Sequence, residues 1–175
     1  MPGLFSKLLR LEHQIFVWIN GRLHNRFLNF WLYYVTYLGG ATFTIAASLL
    51  IWLFAPAPWK QIGLQALVAL SVSHIPVVIA KKLYPRLRPY LAFPGTNTFR
   101  NPLKDHSFPS GHTTAIFSVT VPFMGLDPIL TAILIFIAFN VAISRIYLGL
   151  HYPSDVLAGA TIGSLVAFGT VALWT

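Results

Sequence analysis

Long uncharged stretches separated by short polar segments form the main pattern of this 175-residue chain. A helix needs about 20 apolar residues to cross the ~30 Å hydrocarbon core of a bilayer. Four stretches reach or approach that length and a fifth is shorter: residues 27–59, 61–80, 128–144 and 156–175, then 113–126. The pattern predicts an all-α fold, a polytopic membrane helical bundle with about five transmembrane helices.

The first stretch is too long for one simple span, and Gly39-Gly40 divides it. We expect a short interfacial helix over residues 28–38, rich in Trp and Tyr, and then a span over residues 41–54. Residues 3–20 carry Leu, Ile and Phe at helical spacing with basic residues between them. That spacing is typical of an amphipathic helix lying in the interface plane.

Two later spans begin at polar motifs. The third is expected from about Gly111 to Met124, which is short for a membrane span. The fifth begins at Pro153 and carries small residues four positions apart, Gly159, Gly163 and Ala167. Such a face allows two helix backbones to approach closely.

The composition agrees with a membrane protein. Hydrophobic residues make up 56% of the chain and charged residues 9%, whereas soluble domains have roughly 25% charged residues. We expect one domain over residues 1–175, with interfacial helices in 3–38 and a transmembrane bundle in 41–175 that contains an active-site loop, 84–111. The chain has no cysteine, which excludes disulfides and thiolate metal sites.

Basic residues are concentrated in one polar segment. The formal net charge is +8, and six of the twelve Lys and Arg residues fall within 24 positions: Lys81, Lys82, Arg86, Arg88, Arg100 and Lys104. A basic cluster can bind nucleic acid, but one placed between membrane spans fits lipid head groups or an anionic substrate better. We expect the lipid bilayer and an anionic lipid as partners, and no nucleic acid.

Five spans would bring three polar clusters to one membrane face: Lys81…Arg88-Pro89, Pro109-Ser110-Gly111-His112 and Ser144-Arg145…His151…Asp155. Lys81, Arg88 and Arg145 repel one another unless an anion sits among them, and their side chains suit phosphate oxygens. Ser110-Gly111 adds a hydroxyl and free backbone N–H groups at the start of a helix. The clusters together predict a phosphate cradle.

Two histidines flank this cradle. Pro153 suits the first turn of a helix, so His151 falls just outside that helix and Asp155 within its first turn, close enough to accept from one imidazole nitrogen. With His112 on the other side, one imidazole can attack phosphorus while the other protonates the leaving oxygen. Side chains supply the positive charge, so no metal or cofactor is expected. The chain has only four acidic residues, and we expect Glu12 to lie far from the site.

In these residues the chain resembles the type-2 phosphatidic acid phosphatase family, membrane lipid phosphatases related to vanadium haloperoxidases. The family pattern Lys-x6-Arg-Pro, Pro-Ser-Gly-His and Ser-Arg-x5-His-x3-Asp is met in order over residues 81–155. The resemblance implies that His151 is a nucleophile that forms a phosphohistidine, that Asp155 orients it, and that His112 is the general acid. It also implies five phosphate ligands: Lys81, Arg88, Ser110, Gly111 and Arg145.

The implied activity is hydrolysis of a terminal phosphate from a lipid phosphate or diphosphate. Undecaprenyl diphosphate is the first choice, because Ile19-Asn20 and residues 36–39 also look like bacterial members that act on polyprenyl diphosphates. Phosphatidylglycerol phosphate, phosphatidic acid and a lipid A phosphate stay open, since the motifs address only the phosphate. A non-catalytic anion-binding or transport protein is a different class, although a channel should carry polar residues along several spans. A vanadate-dependent oxidase is a third possible class, and the membrane-embedded architecture argues against it.

The expected location is the plasma membrane, which the chain crosses several times. Four further basic residues fall on the face of the site if the N-terminal helix does not cross: Lys7, Arg10, Arg22 and Arg26. The positive-inside rule would then place that face in the cytoplasm, whereas the family resemblance favours the outer face. The sequence leaves the orientation and the oligomeric state open.

Overall fold

Helices follow the apolar stretches in the order that the sequence pattern predicts. The computed structural model describes residues 3–98, 102 and 104–174, so Arg100 of the basic cluster and Thr175 lie outside the described residues. The helices in this part are α1 (Leu4–Val17), α2 (Arg26–Val35), α3 (Ala41–Phe54), α4 (Trp59–Leu83), α5 (Pro89–Ala92), α6 (Gly111–Thr120), α7 (Pro128–Tyr147) and α8 (Pro153–Trp174). A π-helical turn, Trp18–Arg22, follows α1, and 3-10 turns, Thr36–Gly39 and Val121–Phe123, follow α2 and α6.

Within the described residues, α4, α7 and α8 are each long and apolar enough to cross a membrane. Helices α2 and α3 form a further candidate, bent by 56° at a break next to Gly39-Gly40, where the sequence predicts the end of an interfacial helix. The all-α membrane bundle is thus confirmed. The number of five spans is not, because the predicted third span holds α6, which has ten residues and is therefore only about 15 Å long.

The short helix α6 lies between α4, α7 and α8. Most of its side chains are buried, and several of them are Ser or Thr. Three hydroxyls donate to carbonyl oxygens one turn back: Thr114 to Ser110 at 3.0 Å, Ser118 to Thr114 at 2.7 Å and Thr120 to Ile116 at 2.8 Å. Because its buried hydroxyls are satisfied within the helix, α6 can hold its N-terminus among the helices that surround it.

Helix α8 packs closely on α6 through the small residues that the sequence marks. A Cβ atom on Gly159 would lie 2.6 Å from the carbonyl oxygen of Ser110, and one on Gly163 would lie 2.5 Å from that of Thr114. Gly159, Gly163 and Ala167 are all buried. The predicted small-residue face is confirmed, and it sets the distance between Asp155, at the start of α8, and the N-terminus of α6.

Helix α1 presents apolar side chains outward and is anchored near its C-terminal end. Leu4, Leu8 and Leu11 are exposed, whereas Phe16 and Ile19 are buried in the main hydrophobic core. The helix also contacts α8. Its amphipathic pattern agrees with the prediction, and its place in the membrane interface stays a prediction.

Candidate active site

The junction between α7 and α8 holds His151 in a fixed position. Helix α7 continues to Tyr147, three residues past its predicted end, so Arg145 lies in its last turn. The backbone N–H groups of Leu150 and His151 both donate to the carbonyl oxygen of Arg145, each at 3.1 Å. The imidazole of His151 is 1% exposed, so its direction is set by the protein around it.

Asp155 approaches His151 from the first turn of α8. Its Oδ2 lies 3.6 Å from Nδ1 of His151, a close polar contact that is longer than a hydrogen bond. The same oxygen accepts from the backbone N–H of Tyr152 at 2.8 Å and from the hydroxyl of Ser107. The predicted pairing of His151 with Asp155 is therefore present in the structure, and Ser107 is a third member that the sequence spacing did not indicate.

Arg88 occupies the opposite edge of the His151 ring. Its Nη1 lies 3.0 Å from Nε2 of His151 and donates to the carbonyl oxygen of Leu150 at 2.9 Å. A guanidinium is always a donor, so Nε2 is the acceptor and carries the lone pair. The proton of a neutral ring then sits on Nδ1, the nitrogen that faces Asp155. This assignment leaves Nε2 as the nucleophilic atom.

Lys81 and Arg88 converge on Asp105, which the sequence analysis did not single out. The Asp105 carboxylate lies 2.8 Å from Nζ of Lys81 and 2.6 Å from Nη2 of Arg88. Partial burial raises the pKa of Asp105, but Lys81 and Arg88 lower it by more, to about 2. The two predicted phosphate ligands are thus brought to one place by an ionised carboxylate.

Arg145 is the buried cation with the most unused donors. Its Nη1 donates to Oγ1 of Thr36 at 2.7 Å. Its Nε and Nη2 atoms are buried and have no hydrogen-bond partner among the described residues. Buried polar groups are costly when they are unpaired. Two aligned N–H groups on a guanidinium match the oxygens of a phosphate, so this arrangement suits a bound anion.

The N-terminus of α6 contributes the remaining predicted residues. Ser110 is the N-cap, and its hydroxyl accepts from Oγ1 of Thr113 at 2.9 Å. Its backbone N–H donates to the carbonyl oxygen of Asp155 at 3.0 Å. No atom lies within 4 Å of a Cβ placed on Gly111, so its backbone borders open space. The first N–H groups of a helix lack intrahelical acceptors, and here they face the same end of the bundle.

His112 lies beneath the break between α2 and α3. A Cβ on Gly39 would lie 2.8 Å from the carbonyl oxygen of His112, and one on Gly40 would lie 3.8 Å from its Nε2. The sequence analysis used Gly39-Gly40 only to divide a long apolar stretch. The structure shows that this glycine pair also lets the α2–α3 break pass directly over His112.

Electrostatic interactions connect the site residues that do not touch. The positive charges of Arg145 and Arg88 lower the pKa of both His112 and His151. Burial lowers the pKa of His151, Asp155 opposes this effect, and the two arginines lower it further, to about 3. The ring of His151 is therefore neutral near pH 7, as a nucleophile requires.

One prediction about the site was wrong. Glu12, expected to be far away, lies 2.7 Å from Nη2 of Arg86, and Nη1 of Arg86 lies 2.8 Å from Oδ1 of Asp155. Glu12 and Arg86 are 74 positions apart, and neither belongs to a local motif. Only the packing of α1 on α8 brings them together.

The chain is similar to several known proteins. The model of the PAP2 superfamily matches residues 62–175. An undecaprenyl-diphosphatase of Sulfolobus acidocaldarius is 30% identical over 64% of this chain and 55% of its own length. Phosphatidylglycerophosphatase B of Bacillus subtilis is 30% identical over 77% of this chain and 69% of its own length.

The crystal structure of Aquifex aeolicus LpxE superposes with a TM-score of 0.82 and 26% identity, over 93% of this chain and 95% of that chain. The chain spans between 55% and 64% of the length of the first curated relatives that it matches. The family match covers α4 to α8 and with them the whole set of motif residues. On this match, the chain belongs to the PAP2 superfamily.

Proposed function

We propose that this protein is an integral membrane lipid phosphatase, with undecaprenyl diphosphate as its first-choice substrate and a phosphohistidine as its intermediate. The observation that carries the proposal is the grouping of His151 with Arg88 and Arg145. It combines a neutral imidazole nucleophile, a buried guanidinium beside its lone pair, and a second guanidinium with unpaired donors. Membership of the PAP2 superfamily supports the same reaction class.

In the first step, Nε2 of His151 attacks the terminal phosphorus and the bond from phosphorus to the leaving oxygen breaks. His112 donates a proton to that oxygen, so the lipid product leaves with its charge reduced. Positive charge for the phosphoryl oxygens comes from Lys81, Arg88 and Arg145, with Ser110, Gly111 and the N-terminus of α6 as further donors. Asp155 balances the positive charge that develops on the His151 ring.

In the second step, water attacks the phosphohistidine, the nitrogen–phosphorus bond breaks and inorganic phosphate leaves. His112, having given up its proton, accepts one from the water. Each group therefore returns to its starting state. The reaction needs no metal ion, because side chains supply every positive charge that the transferred phosphoryl group meets.

The choice of lipid follows from the N-terminal segments and the relatives. Thr36 bonds to Arg145, Gly39 packs on His112, and Asn20 donates to the carbonyl oxygen of Tyr147 at 2.8 Å. The segments that resemble polyprenyl diphosphate phosphatases thus lie against the site, and the Sulfolobus relative carries the name undecaprenyl-diphosphatase. Phosphatidylglycerol phosphate is the alternative substrate, because phosphatidylglycerophosphatase B is an equally similar relative.

The proposal extends to the whole chain. Residues 1–175 form one phosphatase domain, in which the connection over residues 84–111 supplies part of the site. We place this domain in the plasma membrane with the site at the outer face, where the phosphate of a lipid carrier would be released.

Phosphate release from purified lipids tests the proposal. The protein in detergent micelles is given undecaprenyl diphosphate, phosphatidylglycerol phosphate, phosphatidic acid and lipid A, each with and without EDTA. We expect phosphate release from undecaprenyl diphosphate that EDTA does not reduce and that vanadate, a mimic of pentacoordinate phosphorus, inhibits. Absence of release from every lipid contradicts the phosphatase assignment, and activity that disappears in EDTA and returns with Mg²⁺ contradicts the metal-free mechanism.

A further inference from the structure

A guanidinium outside the motifs lies between two carboxylates at the edge of the site. Arg86 donates from Nη1 to Oδ1 of Asp155 at 2.8 Å and from Nη2 to Oε2 of Glu12 at 2.7 Å. Asp155 comes from α8 and Glu12 from α1. Arg86 therefore joins the N-terminal helix to the carboxylate that faces His151.

Glu12 has a second attachment to the same turn of α8. Its Oε1 accepts from the backbone N–H of Ser154 at 3.1 Å and from the Ser154 hydroxyl. Nη1 of Arg86 also donates to that hydroxyl at 2.8 Å. Glu12, Arg86 and Ser154 thus contact one another, and Ser154 is the residue that precedes Asp155.

Arg86 is held in place and its charge is balanced inside the protein. Its guanidinium carbon lies 3.8 Å from the centre of the Tyr152 ring, an arrangement that favours a cation. Burial lowers the pKa of Arg86, but Glu12 and Asp155 raise it by more. The charge of Arg86 is thus balanced by two carboxylates, whereas Nε and Nη2 of Arg145 have no hydrogen-bond partner among the described residues.

The position of Asp155 depends on these contacts. Its side chain is fully buried, and Oδ2 faces His151, Tyr152 and Ser107. Oδ1 is held by Arg86. Loss of Arg86 leaves Oδ1 without its partner, and loss of the Glu12 carboxylate leaves Arg86 with fewer contacts to hold it against Oδ1. The carboxylate can then turn away from Nδ1 of His151, and the nucleophile loses its orientation.

We propose that Glu12 and Arg86 are positioning residues for the His151–Asp155 pair, so that α1 takes part in the reaction through Glu12. This inference rests on the proposed phosphatase function. It gives the N-terminal helix a role in turnover in addition to its predicted contact with the membrane interface.

The test separates kcat from KM. Glu12→Gln keeps the size of the side chain and removes its charge, and Arg86→Gln removes the central cation. We expect each to lower kcat about tenfold, by analogy with the ~10–100-fold effect of groups that orient metal-ligating side chains. KM should change less than about twofold, because neither residue is among the proposed phosphate ligands and both are engaged in ion pairs within the protein. Arg10→Gln is the matched control on α1, since Arg10 is exposed and, within the described part of the chain, its side chain hydrogen-bonds only to Ser6 of its own helix.

A double variant tests whether Glu12 acts through Arg86. Contacting residues in one network are not additive, so Glu12→Gln with Arg86→Gln should lose no more kcat than Arg86→Gln alone. Arg86→Lys keeps the charge but lacks the fork that reaches both carboxylates, so its kcat should lie between those of wild type and Arg86→Gln. If Arg86→Gln does not fold, Arg86→Lys takes its place in the comparison with Glu12→Gln.

Three results would overturn the inference: wild-type kcat in Glu12→Gln, a large rise in KM with unchanged kcat in the Arg86 variants, or multiplicative losses in the double variant. The rise in KM would make Arg86 a substrate ligand instead. These results leave the phosphatase assignment intact, because the wild-type enzyme still releases phosphate. Absence of activity in the wild type contradicts the assignment itself and the positioning role with it.

Discussion

The two ring nitrogens of His151 meet different partners, and that difference decides what the residue can do. Nε2 accepts from Arg88, whereas Nδ1 faces Asp155. His112 has no such pair of partners in the described part of the chain, and the glycines of the α2–α3 break cover it. These surroundings suit His151 to nucleophilic attack, and the proposed mechanism assigns the proton transfer to His112.

Replacing each histidine with alanine should separate these roles. His151→Ala should abolish turnover of every substrate, because the attacking atom is lost. His112→Ala should lose about 10²–10⁴-fold on a lipid monophosphate, the usual contribution of general acid catalysis. With a good leaving group such as p-nitrophenolate, phosphohistidine should still form in His112→Ala, because little protonation is needed.

Labelled substrate quenched at alkaline pH measures this intermediate. Asp155→Asn provides the comparison, and its activity should lie between those of the wild type and His151→Ala, because the nucleophile remains while its orientation weakens. Turnover in His151→Ala, or a phosphate label found on His112, contradicts the assignment.

Spacing along the chain was sufficient to indicate the motif residues, because each cluster lies at the end of a helix. Pro153 at the start of α8, for example, fixes where His151 and Asp155 fall relative to that helix. Spacing could not indicate Glu12. A single glutamate on an amphipathic helix fits a solvated polar face equally well, and its partner Arg86 is 74 positions away. Contacts of this kind depend on how helices pack.

At the level of helices, the main difference from the sequence prediction is the length of α6. The apolar run suggests a span to Met124, but the α-helix ends at Thr120 and a 3-10 turn follows. Pro122 explains the end, since proline has no N–H for the next helical hydrogen bond and its ring clashes with the preceding turn. Pro122 is visible in the sequence, but it lies inside a continuous apolar run, and the length of that run suggested a longer helix.

The contact between α6 and α8 should be sensitive to a single added methyl group. Gly163→Ala places its Cβ 2.5 Å from the carbonyl oxygen of Thr114, so the helices must separate at a cost of about 1–3 kcal/mol. Gly169→Ala is the matched control on the same helix, because no atom lies within 4 Å of its added Cβ. That variant should be as stable as wild type or more stable, since glycine in a helix costs roughly 0.5–1 kcal/mol relative to alanine.

Thermal unfolding in detergent, followed by circular dichroism, compares these two variants. The Tm of Gly163→Ala should fall, and that of Gly169→Ala should not. Equal Tm values for the two would show that the close approach of α8 to α6 does not limit stability. The sequence alone could indicate the small-residue face but not the helix it meets, because glycines at four-residue spacing fit any neighbouring helix.

At the level of the whole molecule, the motif residues of the candidate site lie at one end of an apolar bundle. Large apolar side chains are exposed along the bundle, among them Phe54, Ile129, Leu165 and Leu173. A surface of this kind suits lipid rather than water. The general architecture could be predicted because hydrophobic length and motif order are local properties. The contacts of α1 and the bend between α2 and α3 are not local, so the structure was needed to show them.

The confinement of the site to one end leads to a prediction about substrate preference. A lipid phosphate reaches such a site with its head group while its hydrocarbon tail stays beside the helices, so the tail contributes through contacts near the mouth of the site. Thr36 and Gly39, which lie in the segment that the sequence analysis compares with polyprenyl diphosphate phosphatases, contact Arg145 and His112. If these segments select the lipid, kcat/KM for undecaprenyl diphosphate should exceed that for diacyl lipid phosphates by at least about tenfold, or ~1.4 kcal/mol in transition-state binding.

Mixed micelles that hold every lipid at the same surface concentration provide the measurement, since equal dispersion removes differences in delivery. Thr36→Val, which is similar in size but cannot accept from Arg145, should reduce kcat/KM for all of the lipids, because we propose Arg145 as a ligand of the phosphate they share. The preference itself should persist in that variant. Equal or reversed values of kcat/KM in the wild type would instead assign the enzyme to phosphatidylglycerol phosphate or to a broad range of lipid phosphates. The reason is that the motif residues, as proposed, contact only the phosphate and cannot distinguish one tail from another.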